Sequence, residues 1–279
     1  LSSSLQIGLQ TADPAVSEGL GRKLDLKLFS RNVGFLNQAG AVFGLDLMYG
    51  LPGDSLDGYK RSLDYALSLY PNNMAMFRLS VLPGTILADQ AAALGLKHEV
   101  DAPYLVQESP TFSAQDLAQA EQLSEAADLF YNRGRAVAWF NQVLHPLRMN
   151  ASAFLEQFAR FIKGRNLQAF SSGADKSSGQ TSDPVALERL QLEFLDKLYE
   201  KAGLEYLLPA VWDIVRFHAA WARALAEGIS TDIAFNYDPD ELLGRGAVDL
   251  DQFASFADFN PCTVQVQAGP GEPQVLVKG

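Results

Sequence analysis

From Leu5 to Gly95 the chain switches repeatedly between short apolar runs and apolar residues at helical spacing, the pattern of strands alternating with amphipathic helices. Leu5-Gln6-Ile7-Gly8-Leu9 reads as a strand that ends in the polar pair Gln10-Thr11. Asp13-Pro14 then starts a short helix, with the acid as its cap and proline at its first position. Leu26, Phe29, Val33 and Leu36 recur at helical spacing after Asp25, and Gly40 stands where a glycine stop is expected. The nearly unbroken apolar run from Ala41 to Tyr49 is that of a buried parallel strand. The loop Gly50-Leu51-Pro52-Gly53 leads to Asp54, a good N-cap, and Leu56, Tyr59, Leu63 and Ala66 form the stripe of the next helix. A third strand over Met74 to Leu82 ends at Pro83-Gly84-Thr85, and a helix runs from there to Leu94. Three consecutive strand-helix units make either an open doubly wound sheet or a barrel.

After residue 95 the texture becomes helical. Ser113 and Asp116 cap a long helix through Leu117, Ala120, Leu123, Ala127, Phe130 and Tyr131, which the pattern continues through Trp139 to Leu144. Ala153 to Ile162, Pro184 to Ala202 and Pro209 to Ala226 are further amphipathic helices, the last with Trp212 and Trp221 as core residues. Ser171 to Gln180 has the composition of a flexible linker. From Ile229 the chain turns acidic, and Cys262 to Val266 with Val275 to Val277, flanking Gly269-Pro270-Gly271, reads as a terminal hairpin. The expected organisation is an α/β domain over 1–95, a helical extension over 96–228 and an acidic segment with a small β-hairpin over 229–279.

Charge and cysteine usage narrow the function classes. The 279 residues carry a formal net charge of -11. That balance repels nucleic-acid backbones and anionic lipid surfaces. No run of eighteen apolar residues occurs and Leu1-Ser2-Ser3-Ser4 lacks the pattern of a signal peptide, so the sequence reads as cytoplasmic, with no nucleic-acid or membrane partner. It opens almost directly into a strand pattern, as if an earlier part of a domain were absent. The single Cys262 excludes an internal disulfide or an all-cysteine metal site from this chain alone, and reads as a half-buried, inert thiol. His98, His145 and His218 have no companion at a metal-ligand spacing.

The residue with most chemical potential is Asp46, set among Leu45, Leu47 and Met48, where a carboxylate is costly unless hydrogen-bonded or paired. Near the C-terminal end of a parallel strand it would project toward the mouth where such folds place their sites, and Gln10 would do the same from the first strand. The alternative is that both only satisfy neighbouring backbone or a strand-end water.

Taken in order, Ile7-Gly8-Leu9-Gln10-Thr11, Gly21-Arg22-Lys23 and Gly44-Leu45-Asp46-Leu47-Met48-Tyr49-Gly50-Leu51-Pro52-Gly53 resemble the fourth and fifth strands of the radical S-adenosylmethionine (SAM) barrel. The closest forms are in cobalamin-binding radical SAM proteins and oxygen-independent coproporphyrinogen oxidase. Leu79 to Thr85 resembles the end of that barrel's sixth strand, and Phe130-Tyr131-Asn132-Arg133-Gly134 is similar to a helical extension found after it. The resemblance implies three strand-helix units of a partial TIM-type (β/α) barrel, with Gln10, Arg22 and Asp46 helping to hold SAM and Leu82, Pro83 and Gly84 beside its adenine. A guanidinium suits the methionyl carboxylate, and an aspartate or glutamine suits ribose hydroxyls or the methionyl amine.

The implied parent cleaves SAM to a 5'-deoxyadenosyl radical with a 4Fe-4S cluster, with cobalamin as a further cofactor, on a small-molecule substrate. Its three cluster cysteines cannot come from Cys262 alone. A whole barrel takes about 250 residues, so the missing N-terminal half of the barrel is an expected partner and this chain alone an inactive fragment. The bare edge of its first strand invites self-association. Two rivals remain. One is a non-enzymatic helical interaction module retaining a barrel remnant. The other is an aldolase-like barrel with Asp46 as base, weakened by the lack of a strand-end lysine.

Overall fold

The residues described by the computed structural model are 4–165, 183–244 and 249–278. They form two units, Leu1–Asp128 with Asn150–Ala159 and Leu129–Met149 with Arg160–Gly279. The linker expected at Ser171–Gln180 lies outside the described residues.

The first unit is built on a parallel sheet of β1 (Leu5–Gln10), β2 (Phe43–Tyr49) and β3 (Asn73–Arg78), in the order β1-β2-β3. Between β1 and β2 come α1 (Pro14–Gly19), capped by the Asp13 carboxylate, and α2 (Leu26–Gln38), capped by Asp25. The helix α3 (Leu56–Leu67) connects β2 to β3. Successive strands that advance in one direction through right-handed crossovers leave their helices on one face of the sheet. That face is buried: Phe43, Leu45, Leu47 and Tyr49 of β2 and Met74 of β3 are all nearly or fully inaccessible. Tyr49 meets Tyr59 of α3 with ring centroids 5.4 Å apart. In turn α2 leans on α3, where the Tyr65 hydroxyl donates to the Leu26 carbonyl at 2.9 Å and bonds the Ser30 hydroxyl. The expected stripe on α2 is only partly covered, since Val33 alone is buried and Leu26, Phe29 and Leu36 are half-buried.

Three expectations change in this unit. Asp54 is not the cap of α3; Ser55 is, its hydroxyl accepting from the Gly58 N–H. Asp54 instead folds under the first turn, accepts from the Ser55 N–H at 2.7 Å and is 2% exposed. There is room because residue 58 is glycine, whose added Cβ would collide with the carboxylate. The third strand stops at Arg78 rather than Leu82. Beyond it the chain turns to bond an antiparallel neighbour, Val81 N–H to the Tyr104 carbonyl and Val106 N–H to the Leu79 carbonyl. The helix after Thr85 is a single short α4 (Ile86–Gln90) with no buried residue, and without a packed face a longer helix is not sustained.

A small antiparallel pair, β4 (Lys97–His98) and β5 (Val106–Glu108), precedes α5 (Ala114–Ala127), whose Ser113–Asp116 capping box forms as the sequence indicates. The Tyr59 hydroxyl meets the Ser124 hydroxyl at 2.7 Å and so ties α3 to α5. The helix does not run on to Leu144. It passes at Asp128–Arg133 into a wider π-type turn and breaks before α6 (Phe140–Leu144). Within the second unit the reason is Gln191, 2% exposed, whose side-chain amide donates to the Phe130 and Gly134 carbonyls at 2.9 and 3.0 Å. An α-helix would keep those carbonyls for itself. After α6 comes α7 (Ala151–Ile162), whose Ser152 N–H and hydroxyl both bond Asp64 within the first unit.

The second unit continues with α8 (Pro184–Ala202) and α9 (Leu208–Glu227), which end at Gly203 and Gly228 in left-handed conformation. Trp212 and Trp221 are half-buried, and the Trp212 indole N–H donates to Asp196. The expected terminal hairpin is present as β7 (Cys262–Gln267) and β8 (Gln274–Lys278), after α10 (Pro239–Leu243) and α11 (Leu250–Phe256). The sequence missed a partner strand, β6 (Thr231–Phe235), which makes a three-stranded antiparallel sheet in the order β6-β7-β8. Asp213 of α9, fully buried, accepts from the N–H groups of Asn236 and Tyr237 and from the Asn236 amide, fixing the turn after β6. Cys262 is half-buried as read, and burial raises its thiol pKa. No helix among the described residues is long and apolar enough to cross a membrane.

Burial pushes the Asp54 carboxyl from 3.8 up to about 6, and its Oδ2 has no hydrogen-bond partner. A carboxyl with a raised folded pKa favours the fold while protonated, so its ionisation lowers stability as pH rises from about 4 to about 6. Asp54→Asn is expected to flatten that fall by on the order of 2 kcal/mol, read from urea unfolding at pH 4 and pH 7. An unchanged pH slope would show that Asp54 is not the source.

Candidate functional site

The face of the parallel sheet opposite α3 carries the chemistry. Register pairs Gln6 with Gly44, Gly8 with Asp46, Asp46 with Ala75 and Met48 with Phe77. Residues paired across parallel strands share a face, so Gln6, Gly8, Gly44, Asp46, Met48, Ala75 and Phe77 line one surface. Asp46, Met48 and Ala75 are only half-buried there, Gln6 is exposed and Phe77 is 53% exposed. In its middle the Gln6 side-chain amide donates to Asp46 Oδ1. Gly44 makes this contact fit, since a Cβ at that position would fall 2.3 Å from the Gln6 amide oxygen. Asp46 Oδ2 makes no protein hydrogen bond among the described residues, so the pair presents an oxygen acceptor on an open, partly apolar surface.

The residues named from the sequence are distributed around this pair. Asp46 lies mid-strand, opposite Gly8, rather than at the C-terminal end of β2. Gln10 does end β1, but a register irregularity between Gly8 and Gln10 pairs it with Leu47, and its backbone is left-handed with φ 65°. The amide that reaches Asp46 is therefore that of Gln6. Arg22 comes back to the same strand: its Nη2 donates to the Gly8 carbonyl at 2.9 Å. Leu5 sends its N–H to Val42 on the β2 side, so by strand alternation Gly8 turns its backbone groups to the free edge. Arg22 thus covers part of that edge.

Leu82, Pro83 and Gly84 follow β3, two strands from β1, and are all exposed, with Gly84 left-handed at φ 78°. None has a hydrogen bond to Gln10, Arg22 or Asp46. Only the backbone turn of Leu82 is fixed, its carbonyl accepting from the Thr85 N–H and hydroxyl.

Gln6 had a weak sequence signal, as a polar residue in an apolar strand on the same alternation as Gly8. Its pairing with Asp46 depends on register, which one strand's sequence does not specify. A hollow of about 280 Å3 also occurs in this unit, bordered by Asp13, Leu26, Arg61 and Tyr65, and it contains none of the named residues. Within it Tyr65 bonds Ser30 and the Leu26 carbonyl, and Arg61 stands 3.9 Å from Asp13. Among the described residues no group of three or more His, Cys, Asp or Glu side chains could hold a metal ion. No protein-family model matches the chain, and a search of curated proteins finds no match.

Gly44→Ala tests the pair directly. The new methyl displaces only the flexible end of Gln6, so stability should change by less than about 1 kcal/mol. The Gln6 side-chain NH2 signals should lose the shift that Asp46 imposes, and Asp46→Ala should produce the same change. Signals that ignore both substitutions would dissolve the pair.

Proposed function

We propose that this chain is part of a radical SAM enzyme, with its first unit a portion of a TIM-type (β/α) barrel and the open sheet face the wall of the SAM pocket. The observation that carries the reading is a parallel sheet clad by helices on one side only among the described residues, with the Gln6–Asp46 pair on its other face. Parallel sheets are ordinarily covered on both faces. The strand order β1-β2-β3 is compatible with a barrel, as it is with one half of a doubly wound sheet. A barrel's own closure covers the inner face.

The residues fit part of the cofactor. Asp46 Oδ2 is available to accept from ribose hydroxyls or from the methionyl amine, and Gln6 orients the carboxylate. Arg22 spends one N–H group on Gly8 and has others for a carboxylate. Gln10 ends β1, and the Leu82–Gly84 turn follows the last residue of β3 by four positions. The cluster and cobalamin of the proposed parent have no ligand set here, since the chain contributes one cysteine, so those ligands would belong to sequence outside this chain. When bound, the cluster and SAM supply the 5'-deoxyadenosyl radical; this chain's residues bind, orient and exclude water.

A second reading has its own observation. Phe77, Leu82 and Ile86 are 53%, 51% and 75% exposed, an apolar surface suited to an interaction module that keeps a barrel remnant.

The reading frame before Leu1 should encode a CxxxCxxC loop. The whole protein, reconstituted anaerobically with iron and sulfide and reduced with dithionite, should release 5'-deoxyadenosine from SAM. Asp46→Ala should cut that release at least about tenfold, equivalent to roughly 1.4 kcal/mol of binding or activation, with the cluster absorbance unchanged. A frame without the three cysteines overturns the proposal and leaves the interaction module. In isolation the chain should self-associate through its bare face or the β1 edge, and sedimentation as a monomer at all concentrations would count against that.

A further inference from the structure

The second unit holds a groove that the proposed function leaves unused. It is about 280 Å3, lined by Thr231–Ala234 of β6 together with Glu188 of α8 and Arg216 and Arg223 of α9. Four consecutive strand residues point alternately to opposite faces, so a hollow that touches all four runs along the strand's edge rather than over one face. Among the described residues that edge has no strand partner: β6 pairs with β7 and is the outer strand of its sheet. The inner face of β6 is occupied differently, with Ile233 and Phe235 buried and Phe217 of α9 edge-on to Phe235. The groove therefore has a row of unpaired backbone groups on one side and helix side chains on the other.

The charges in the groove are unequal in their satisfaction. Arg223 is 8% exposed and paired with Glu188. Asp232 is held by Lys278 at 3.0 Å. Asp213, the acid nearest Arg216 on its own helix, is taken up by Asn236 and Tyr237. Arg216 makes no ion pair or hydrogen bond among the described residues; its guanidinium stands 5.9 Å from the Trp212 ring centroid. The groove thus offers strand hydrogen bonding and one half-buried guanidinium that makes no direct ion pair or hydrogen bond among the described residues and is opposed only at longer range by Asp213.

We infer that this groove is a docking site for an extended acidic peptide segment, which adds as a strand to the free edge of β6 and places a carboxylate on Arg216. An extended backbone is the chemistry that satisfies an open strand edge, and edge addition with side-chain pockets for specificity is a general recognition mode. A carboxylate is the group that a planar guanidinium binds with two parallel hydrogen bonds. The ion pairs Arg223–Glu188 and Lys278–Asp232 shape the groove walls without adding net charge, so the unspent N–H donors of Arg216 set the preference for an acid.

The test uses the whole 279-residue chain and two fluorescein-labelled pentapeptides, Thr-Val-Thr-Val-Asp and its amidated asparagine counterpart Thr-Val-Thr-Val-Asn. Fluorescence anisotropy should show the acidic peptide binding at least tenfold more tightly. Arg216→Gln should lower the affinity for the acidic peptide to that for the neutral one while leaving the neutral one unchanged. Backbone amide shifts on binding should concentrate in residues 231–235. Arg216→Lys serves as the control for folding, retaining a preference for acid. The inference is overturned if neither peptide binds, if both bind equally to the native chain, if Arg216→Gln weakens both alike, or if the shifts fall outside β6.

Discussion

The direction in which the strands of the parallel sheet are added decides which of its faces is covered. Parallel strands need a connection that returns over a face, and in right-handed crossovers the face is set by the direction in which the next strand is added. Because β1, β2 and β3 are added in one direction, α3 and the α2 that leans on it stack on one side. The β2 residues on that side, Phe43, Leu45, Leu47 and Tyr49, form the oily floor; the alternate residues Gly44, Asp46 and Met48 are left facing out. A carboxylate in the middle of an apolar strand is tolerable only on that second face, where Gln6 bonds one oxygen and the rest remains accessible.

Elsewhere the fold places buried polar groups where the backbone would otherwise lose partners. Gln191 fills the gap opened by the π-type turn, Asp213 collects three donors from the turn after β6, and Ser152 ties the start of α7 to Asp64. Each is a polar side chain from a distant element bonding a place where helix or strand pairing stops, as buried backbone groups require. Asp54 is an exception, with one oxygen bonded and the other orphaned beneath α3. Desolvation outweighs the hydrogen bond there, which is why its carboxyl titrates upward.

The two units express edge management differently. In the first, Arg22 lays a guanidinium across the Gly8 carbonyl, and the left-handed Gln10 bends the strand away. In the second, β6 runs its outer side along a charged groove, and β8 carries Val275 and Val277 exposed at the other margin of the sheet. Charged side chains and irregular strand ends are the usual means of blunting edges, and a groove beside an edge is the usual means of using one.

Local chemistry was legible from the residues. The caps Asp13 and Ser113, the glycine stop at Gly40, the Pro184 helix start and the β2 strand all depend on a few neighbouring positions, and all are realised. What failed depended on contacts across the chain. The helix expected through Trp139 is interrupted because Gln191, far along the sequence, claims its carbonyls. Asp54 lost the cap to Ser55 because Gly58 opened a space beneath the turn. The amide beside Asp46 is Gln6 instead of Gln10, because register and a bulge, set by pairing between strands, decide which side chains meet. The sequence by itself determined most helix starts, the caps at Asp13 and Ser113 and that one acid sits in an apolar strand, since those follow from backbone and side-chain preferences over a few residues. Tertiary structure alone decided which face stays open and which partner that acid finds, since both arise from pairing and packing between segments distant in the chain.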